Sequence, residues 1–179
     1  MRGVRVTPVA FLVKAIATAL EDNAGFNRSL AGDGESYIQK QYCNIGMAVD
    51  TPRGLVVPVI RNASSMGIWE IAGEVAQLAE KAREGKLKPS DMQGGCFTLS
   101  SLGAIGGNGF TPIVNAPELG ILGVSKAQMK PVWNGHDFEP RLMLPLALSY
   151  DHRLINGGDA GRFMTQIVKL LSDIRHLAL

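Results

Sequence analysis

The sequence is poor in several features that would assign a protein to a class. It contains two cysteines, Cys43 and Cys96, which lie in apolar surroundings without CxxC spacing. This pattern excludes a disulfide framework and predicts small buried thiols in a reducing compartment. No charge-free run approaches the ~20 residues of a membrane span, and the opening MRGVRV lacks the apolar core of a signal peptide. We therefore expect a soluble, intracellular protein that does not bind membranes.

Charge of one sign is also lacking. The chain has 18 lysines and arginines against 16 aspartates and glutamates, and the basic residues are scattered rather than gathered in a stripe. This distribution argues against nucleic acid as a partner. With 179 residues, of which 46% are hydrophobic, the chain is long enough to bury one core, so we expect one domain over residues 1–179.

Apolar periodicity predicts alternating helices and strands. Thr7 and Pro8 offer an N-cap and a first-turn proline for one helix, Gly85 offers a stop for the next, and Pro58 argues against a central strand. The expected helices are PVAFLVKAIATALED, IWEIAGEVAQLAEKARE and residues 158–176. The expected strands are QYCNIGMAVDT and GLVVPVI around the turn TPRG, then CFTLSSLG, GILGVSKA, KPVWNG and RLMLPLALSY in one shared sheet. This order predicts an α/β sandwich with a mixed sheet rather than a regular βαβ series.

Two motifs that suggest other chemistry fail on spacing. The glycine-rich stretch GAIGGNGF contains neither GxGxxG leading into a helix nor GxxxxGK[ST], so a tight surface loop with positive φ angles is favoured over a nucleotide site. Ser100 and Ser101 lie in TLSSLG rather than in a GxSxG nucleophile elbow. Ser100 therefore either satisfies the backbone at a strand end or donates a hydrogen bond within a site.

One histidine has no simple structural explanation. The histidines in WNGHDF and DIRHLAL fit a polar turn and a helix C-terminus, whereas His152 follows a wholly apolar strand with Asp151, Arg153 and Asn156 within four positions. This density of polar groups predicts either a functional site or a buried polar network. For Arg153 we favour an ion pair with a nearby aspartate, among them Asp151, over contact with a substrate.

The stretch SYDHRLINGGDAGRF resembles the DHRxxxG signature of the dihydrolipoamide acyltransferase cores of 2-oxo acid dehydrogenase complexes. Further blocks agree along the chain, among them NIGMAVDTPRGLVVPVI, KAREGKLKPSDMQGGCFTLSSLGAIGG, FTPIVNAPELGILGV and RLMLPLALSYDHR, and the wording is most similar to the acetyltransferases of pyruvate dehydrogenase complexes. The resemblance implies a two-layer, mixed-sheet sandwich like that of chloramphenicol acetyltransferase. It also implies homotrimers that assemble into a hollow cubic or dodecahedral core, with active sites between subunits.

Matching the family's motifs by position implies three catalytic residues. His152 corresponds to the general base, Ser100 to the donor that stabilises the oxyanion, and Asn156 to a polar residue that is aspartate in many members. An amide orients a neighbour by hydrogen bonding but cannot stabilise an imidazolium through charge. Lys86 and Lys88 are weak candidates for the phosphates of coenzyme A, and a solvated helix end explains them as well.

The resemblance implies acetyl transfer between dihydrolipoamide and coenzyme A, with acetyl-coenzyme A as substrate or product, a lipoyl group presented on a separate domain, and no metal. It implies the lipoyl domains and the pyruvate decarboxylase and dihydrolipoamide dehydrogenase components as partners, in the bacterial cytoplasm or the mitochondrial matrix. The family's core begins upstream of VTPVAFLVKA, so we expect a core truncated at its N-terminus. Two alternatives stay open: a structural cage with impaired catalysis, and an O-acetyltransferase like chloramphenicol acetyltransferase.

Overall fold

The computed structural model describes residues 3–105 and 107–177, and within them three α-helices pack against a five-stranded sheet. The helices are α1 (Pro8–Asp22), α2 (Ile68–Arg83) and α3 (Gly157–Ser172). The strands are β1 (Arg28–Leu30), β2 (Tyr37–Gln39), β3 (Ile45–Met47), β4 (Val49–Thr51), β5 (Gly54–Val56), β6 (Val59–Ile60), β7 (Phe97–Ser101), β8 (Gly120–Val124), β9 (Gln128–Trp133), β10 (Phe138–Met143) and β11 (Leu146–Tyr150).

Helix α1 forms the centre of the helical layer and packs on both α2 and α3. Pro8 occupies its first turn as expected, because proline lacks the amide hydrogen that would have no partner there. Thr7 holds the N-cap position in an extended conformation, but its side chain makes no capping hydrogen bond. Most of the helix is buried, so packing rather than capping stabilises it, at roughly 1.5–3 kcal/mol for each large apolar side chain removed from water.

Helix α2 ends as the sequence predicts, at a glycine. Gly85 has φ +68°, in the left-handed region that glycine adopts without steric cost. The amide of Gly85 donates to the carbonyl of Ala82 at 3.0 Å, and the amide of Lys86 donates to the carbonyl of Lys81 at 2.8 Å. These two bonds form a Schellman motif, which satisfies carbonyls that the last helical turn leaves free.

Helix α3 is shorter than predicted, because it ends at Ser172 rather than reaching His176. Asp173 is extended, with φ −142° and ψ 104°, and a 3-10 turn, Ile174–Leu177, follows it. The Asp173 carboxylate accepts hydrogen bonds from the backbone amide and the guanidinium of Arg175. Such local side-chain bonds compete with helical backbone bonds and explain the break.

The main sheet has the strand order β11-β8-β7-β3-β6. Strand β7 runs parallel to both β3 and β8, whereas β11 and β6 are antiparallel to their neighbours. The predicted mixed α/β arrangement is therefore confirmed. Strand β6 follows Pro58 and lies at the edge, which agrees with the argument that proline excludes this segment from the centre of a sheet.

The two strands predicted around TPRG are each broken into two. Strands β4 and β5 form the expected hairpin, and β3 and β6 continue the same antiparallel pairing into the main sheet. At the junction, the amide of Met47 donates to the carbonyl of Pro58 at 2.8 Å, and the amide of Ala48 donates instead to Leu99 of β7 at 2.9 Å. The hairpin therefore departs from the sheet where β3 turns from one partner to the other.

The prediction that KPVWNG belongs to the main sheet is wrong. The same prediction for RLMLPLALSY is correct only for its second half. Among the described residues, strands β9 and β10 pair with each other and with no other strand, and most of their side chains are exposed. The stretch RLMLPLALSY divides at Pro145, which lacks an amide hydrogen, so β10 ends before it and only β11 after it joins the main sheet. The result is a hairpin that projects from the sandwich.

Three aromatic rings join the sheet to the helical layer. Phe97 of β7 lies 5.3 Å from Phe163 of α3 between ring centroids, and Phe26 lies 4.4 Å from Phe163 and 6.2 Å from Phe97. All three side chains are fully buried. Burial of this size fixes the position of β7 relative to α3, and these are the two elements that carry or adjoin the candidate catalytic residues.

Candidate functional site

His152 lies in a tight turn between β11 and α3. The backbone of Asp151 anchors this turn, because its amide donates to the carbonyl of Leu119 at 2.9 Å and its carbonyl accepts from the amide of the buried Ile155 at 3.0 Å. The His152 side chain is exposed, and its ring lies 5.4 Å from that of Tyr150 between centroids. Within residues 3–105 and 107–177 the imidazole makes no hydrogen bond, so its nitrogens are available to a substrate or a neighbouring chain.

Arg153 makes the ion pair expected for it. Its Nε donates to Oδ1 of Asp151 at 2.9 Å and its Nη2 donates to Oδ2 at 2.6 Å. These hydrogen bonds hold the pKa of the Asp151 carboxyl below its ordinary value and raise the pKa of Arg153. Asp159 and Asp173, the other aspartates considered as partners, pair instead with Arg162 and Arg175. Arg153 therefore stiffens the turn that carries His152, although an exposed pair contributes little to global stability.

Asn156 is the N-cap of α3. Its Oδ1 accepts the backbone amide of Asp159 at 2.9 Å, which satisfies one of the amides left free at the start of the helix. The side-chain NH₂ group remains as a donor. Asn156 thus fixes where α3 begins, four residues after His152, and an aspartate here would make the same cap with an added negative charge.

Ser100 lies near the end of β7, on the face of the sheet opposite the helices. Phe97 and Leu99 point into the helical core, so the alternation of a strand places Ser100 on the other face. Its cross-strand neighbour is Gly123 of β8, where an added Cβ would lie 3.0 Å from the ring of Phe110 and 3.1 Å from Pro112. A side chain at this position would crowd Phe110 and Pro112, because the segment after the glycine-rich loop packs directly over β8 and forms a wall beside Ser100.

The structure does not bring Ser100 and His152 together within one chain. Ser100 is in register with Gly123, and Gly123 is in register with Ala147 of β11. Tyr150, the last residue of β11, lies three residues and about 10 Å further along the strand direction, and His152 lies in the turn beyond it, past the opposite end of β7. A site that uses both residues therefore requires two chains.

Lys86 and Lys88 lie at the exposed end of α2. Their position agrees with the second interpretation given for them, a solvated helix end. The ammonium of Lys86 pairs with the carboxylate of Glu84 at 2.8 Å, and both side chains are exposed. Lys88 is exposed as well, and its backbone amide caps the following 3-10 turn by donating to Asp91. The structure explains both residues without a ligand.

The glycine-rich loop after β7 has the predicted positive φ angles at two of its three described glycines and not at Gly109. Gly103 has φ +53° and Gly107 has φ +64°, angles that residues other than glycine rarely adopt. Gly106, which the same expectation covers, lies outside the described residues. The loop leads directly from Ser100 to the segment that covers it.

Glu118 was not predicted from the sequence, and it is the most deeply buried carboxyl of the described residues, with 5% of its surface exposed. Its Oε2 accepts a hydrogen bond from Oγ1 of Thr98 at 2.6 Å. Burial raises the pKa of Glu118, and the Thr98 hydrogen bond and the positive charge of Lys40 oppose that rise. The available signal was a single acid two residues before the buried strand GILGV, and only the structure shows that its side chain turns inward.

The raised pKa of Glu118 predicts a pH-dependent stability. A carboxyl whose pKa is higher in the folded than in the unfolded state stabilises the fold below its ordinary pKa, and that contribution is lost as the pH rises through the folded value. Between about pH 5 and pH 8, the wild-type free energy of unfolding should fall relative to that of Glu118→Gln, by about 1.4 kcal/mol for each tenfold preference for the protonated form. Urea unfolding at both pH values measures this difference, and a constant difference would contradict it.

The two cysteines are buried as the sequence predicts. Burial raises the pKa of the Cys43 thiol to about 12 and also raises the pKa of Cys96. Because only the thiolate reacts quickly, neither should be alkylated by iodoacetamide in the native protein at neutral pH, whereas both should react fully in denaturant. Mass spectrometry of the two samples measures this. Rapid native labelling of either thiol, or a disulfide between them, would refute the prediction.

Two features that would indicate another kind of function are absent from the described residues. No helix in residues 3–105 and 107–177 is both long and apolar enough to cross a membrane. In the same ranges, no three or more histidine, cysteine, aspartate or glutamate side chains are grouped so as to hold a metal ion.

Similarity to known proteins covers almost the whole chain. The family described as 2-oxoacid dehydrogenases acyltransferase (catalytic domain) matches residues 1–179. The dihydrolipoyllysine-residue acetyltransferase component of the pyruvate dehydrogenase complex of Haemophilus influenzae is 56% identical over 177 residues, and the same component of Pseudomonas aeruginosa is 58% identical. Each match covers 99% of this chain but only 31% and 32% of those relatives, so the chain spans about a third of their length.

Solved structures agree with this assignment. A structure from a study of the role of a serine, a histidine and an asparagine in the catalytic mechanism of Azotobacter vinelandii dihydrolipoamide acetyltransferase matches with a TM-score of 0.96 and 58% identity, covering 99% of this chain and 73% of that one. Chloramphenicol acetyltransferase, at 16% identity and a TM-score of 0.59 over 92% of this chain and 78% of its own, shares the fold alone. The expected fold class is thereby confirmed. The chain belongs to the 2-oxoacid dehydrogenase acyltransferase family, in its catalytic domain.

Proposed function

We propose that this chain is a single catalytic domain that transfers an acetyl group between dihydrolipoamide and coenzyme A. One observation carries the assignment of residues. The serine, histidine and asparagine studied in the Azotobacter vinelandii enzyme are 52 and 4 residues apart, the spacings that separate Ser100, His152 and Asn156. All three side chains reach the surface of one chain at least in part, as substrate contact requires.

His152 acts as the general base in this proposal. A substrate thiol has a pKa well above neutrality, and an imidazole with an ordinary pKa near 6.5 is suited to accept its proton. The sulfur then attacks the carbonyl carbon of the acetyl thioester. Collapse of the tetrahedral intermediate breaks the bond to the other sulfur, which takes the proton back from His152. One thioester is exchanged for another, so no acyl-enzyme forms.

Ser100 donates its hydroxyl hydrogen to the oxygen that becomes negative in the intermediate. A preplaced donor of this kind is worth about 10²–10³ in rate. Because Ser100 and His152 lie at opposite ends of the sheet, we propose that each active site combines Ser100 of one chain with His152 of its neighbour, and that Asn156 keeps the turn and helix next to His152 in place. This arrangement requires an oligomer.

We further propose that the chain forms homotrimers that assemble into a cubic core. One solved structure with a TM-score of 0.96 and 58% identity is that of the cubic core of a pyruvate dehydrogenase multienzyme complex. The β9–β10 hairpin exposes several apolar side chains, and their burial against other chains would favour an oligomer over a monomer. The partners proposed for the assembled protein are lipoyl domains and the pyruvate decarboxylase and dihydrolipoamide dehydrogenase components.

An acceptor assay tests the proposed reaction. Assembled protein is incubated with acetyl-coenzyme A and either free dihydrolipoamide or chloramphenicol, a hydroxyl acceptor. The acetylated acceptor and free coenzyme A are separated by chromatography and quantified, and the amount of each formed without protein is subtracted. We expect acetylation of the dithiol with negligible acetylation of the hydroxyl, because a thiol is acidic enough for an imidazole base at neutral pH. Acetylation of the hydroxyl alone would assign the chain to O-acetyl transfer.

Light scattering on the same samples distinguishes an enzyme from a scaffold. A uniform large particle with turnover supports the proposed function. A uniform particle without turnover supports a purely structural core, and turnover by a monomer would contradict an active site built from two chains.

A further inference from the structure

The sheet face that carries Ser100 also carries a buried hydrogen bond two residues away. Thr98 and Ser100 are alternate residues of β7, so their side chains share one face. Thr98 is 1% exposed, and its hydroxyl donates to Oε2 of Glu118 at 2.6 Å. The proposed reaction does not use this pair, and its polar atoms are removed from solvent.

Close packing leaves the Thr98–Glu118 pair little freedom to move. A Cβ added at Gly95 would lie 2.3 Å from Oε1 of Glu118, and one added at Gly46 would lie 2.7 Å from Oγ1 of Thr98. Both glycines leave just enough space for the two polar side chains. Lys40 donates to the carbonyl of Gly95 at 2.9 Å and places a positive charge beside this pocket.

Glu118 ends the segment 110–118, which leads from the glycine-rich loop to β8 and packs next to Ser100 at its start. This segment begins with Phe110 and Pro112, which lie over Gly123, the register partner of Ser100, and it ends at Glu118 beside Thr98. The Thr98–Glu118 bond therefore joins the segment to the strand on which Ser100 lies. This side-chain bond adds to the backbone pairing of β7 with β8, which begins at Thr98 and Ile121, and it ties the Glu118 side chain to the face of β7 that carries Ser100.

We infer that Thr98 and Glu118 are positioning residues that hold the Ser100 hydroxyl in place for oxyanion stabilisation. The inference rests on the proposed function of Ser100. An oxyanion donor is effective only when it is held at hydrogen-bond distance from the oxygen that becomes charged, so a small displacement of β7 against the covering segment lowers the rate without removing any group that touches substrate.

A double-mutant cycle on the assembled protein tests this inference. Thr98→Val replaces the hydroxyl by a methyl group of similar size, and it is made both in the wild type and in Ser100→Ala. We expect it to lower kcat about 5–10-fold in the wild type, with the KM values for acetyl-coenzyme A and dihydrolipoamide changed less than about twofold. In Ser100→Ala the same substitution should change kcat less than about twofold, because its effect acts through Ser100.

Two further variants separate positioning from general destabilisation. Thr98→Ser retains the hydroxyl and should restore kcat to within about threefold of wild type. Ile121→Val, at the register partner of Thr98 on β8, removes a buried methylene without touching the hydrogen bond and should leave kcat unchanged. Equal fold-changes from Thr98→Val in both backgrounds, or an equal loss in Ile121→Val, would overturn the inference. Wild-type turnover in Ser100→Ala would instead refute the proposed role of Ser100.

Discussion

Replacing His152 by alanine is expected to lower turnover by about 10²–10⁴, the usual worth of a positioned proton acceptor. The loss should fall on kcat, because the imidazole acts when the thiol proton is transferred rather than when either substrate binds. Steady-state rates with acetyl-coenzyme A and free dihydrolipoamide measure it. Raising the pH should partly restore the variant, since more of the thiol then ionises without a base.

The turn around His152 makes this substitution structurally mild. The imidazole is exposed and makes no hydrogen bond within the part of the chain that the structure describes, whereas Asp151 anchors the turn through its backbone and its bond to Arg153. His152→Ala should therefore assemble like the wild type, which light scattering verifies. The matched control is His136→Ala in the β9–β10 turn, another exposed histidine, which should retain full turnover. Full turnover in His152→Ala would remove His152 from the mechanism.

Mixed particles of Ser100→Ala and His152→Ala chains are expected to regain activity that neither variant has alone. Because the strand registers separate the two residues within a chain, each site draws them from different chains. Random co-assembly of equal amounts then leaves about a quarter of the sites with both original residues, so turnover should rise to about a quarter of wild type. Co-expression of differently tagged chains, purified through both tags, supplies the sample.

The control for mixing is the doubly substituted chain co-assembled with wild type. In random equal mixtures it too leaves about a quarter of the sites intact if the two residues come from different chains, but about half if they come from one chain. If particles containing both single variants are no more active than either variant alone, Ser100 and His152 do not meet across an interface. Particles assembled separately and then mixed should stay inactive unless chains exchange.

Local patterns were sufficient to predict the helices and the buried thiols. Pro8 and Gly85 mark helix ends through backbone preferences that depend on one residue, and the structure places both as predicted. The strands from β3 onward were also indicated by apolar patterning, whereas the short strands β1 and β2 were not predicted. Strand partnership was not indicated, because pairing joins segments far apart in sequence: RLMLPLALSY contributes to two sheets, divided at Pro145.

The candidate residues came from a resemblance, and their spatial relation required the structure. No property of the sequence near Ser100 or His152 indicates that their strands are in a register that holds them apart. Glu118 illustrates the same limit. Its burial depends on Thr98 and on two glycines from different segments, which no periodicity in the sequence connects.

The β9–β10 hairpin and the main sheet should differ in local stability against unfolding. Strand β7 is covered on both sides by neighbouring strands and is bound to the helical layer through Phe97, so its amides should exchange with solvent only when the whole domain unfolds. Within the described residues, the hairpin is held by its own pairing and, at its base, by hydrogen bonds from Nε2 of Gln128 to the carbonyl of Gly107 and to Oδ1 of Asn108, while side chains such as Trp133 and Phe138 are exposed. A two-stranded ribbon of this kind is marginally stable in water, so an isolated chain should lose the hairpin repeatedly while the sandwich stays folded.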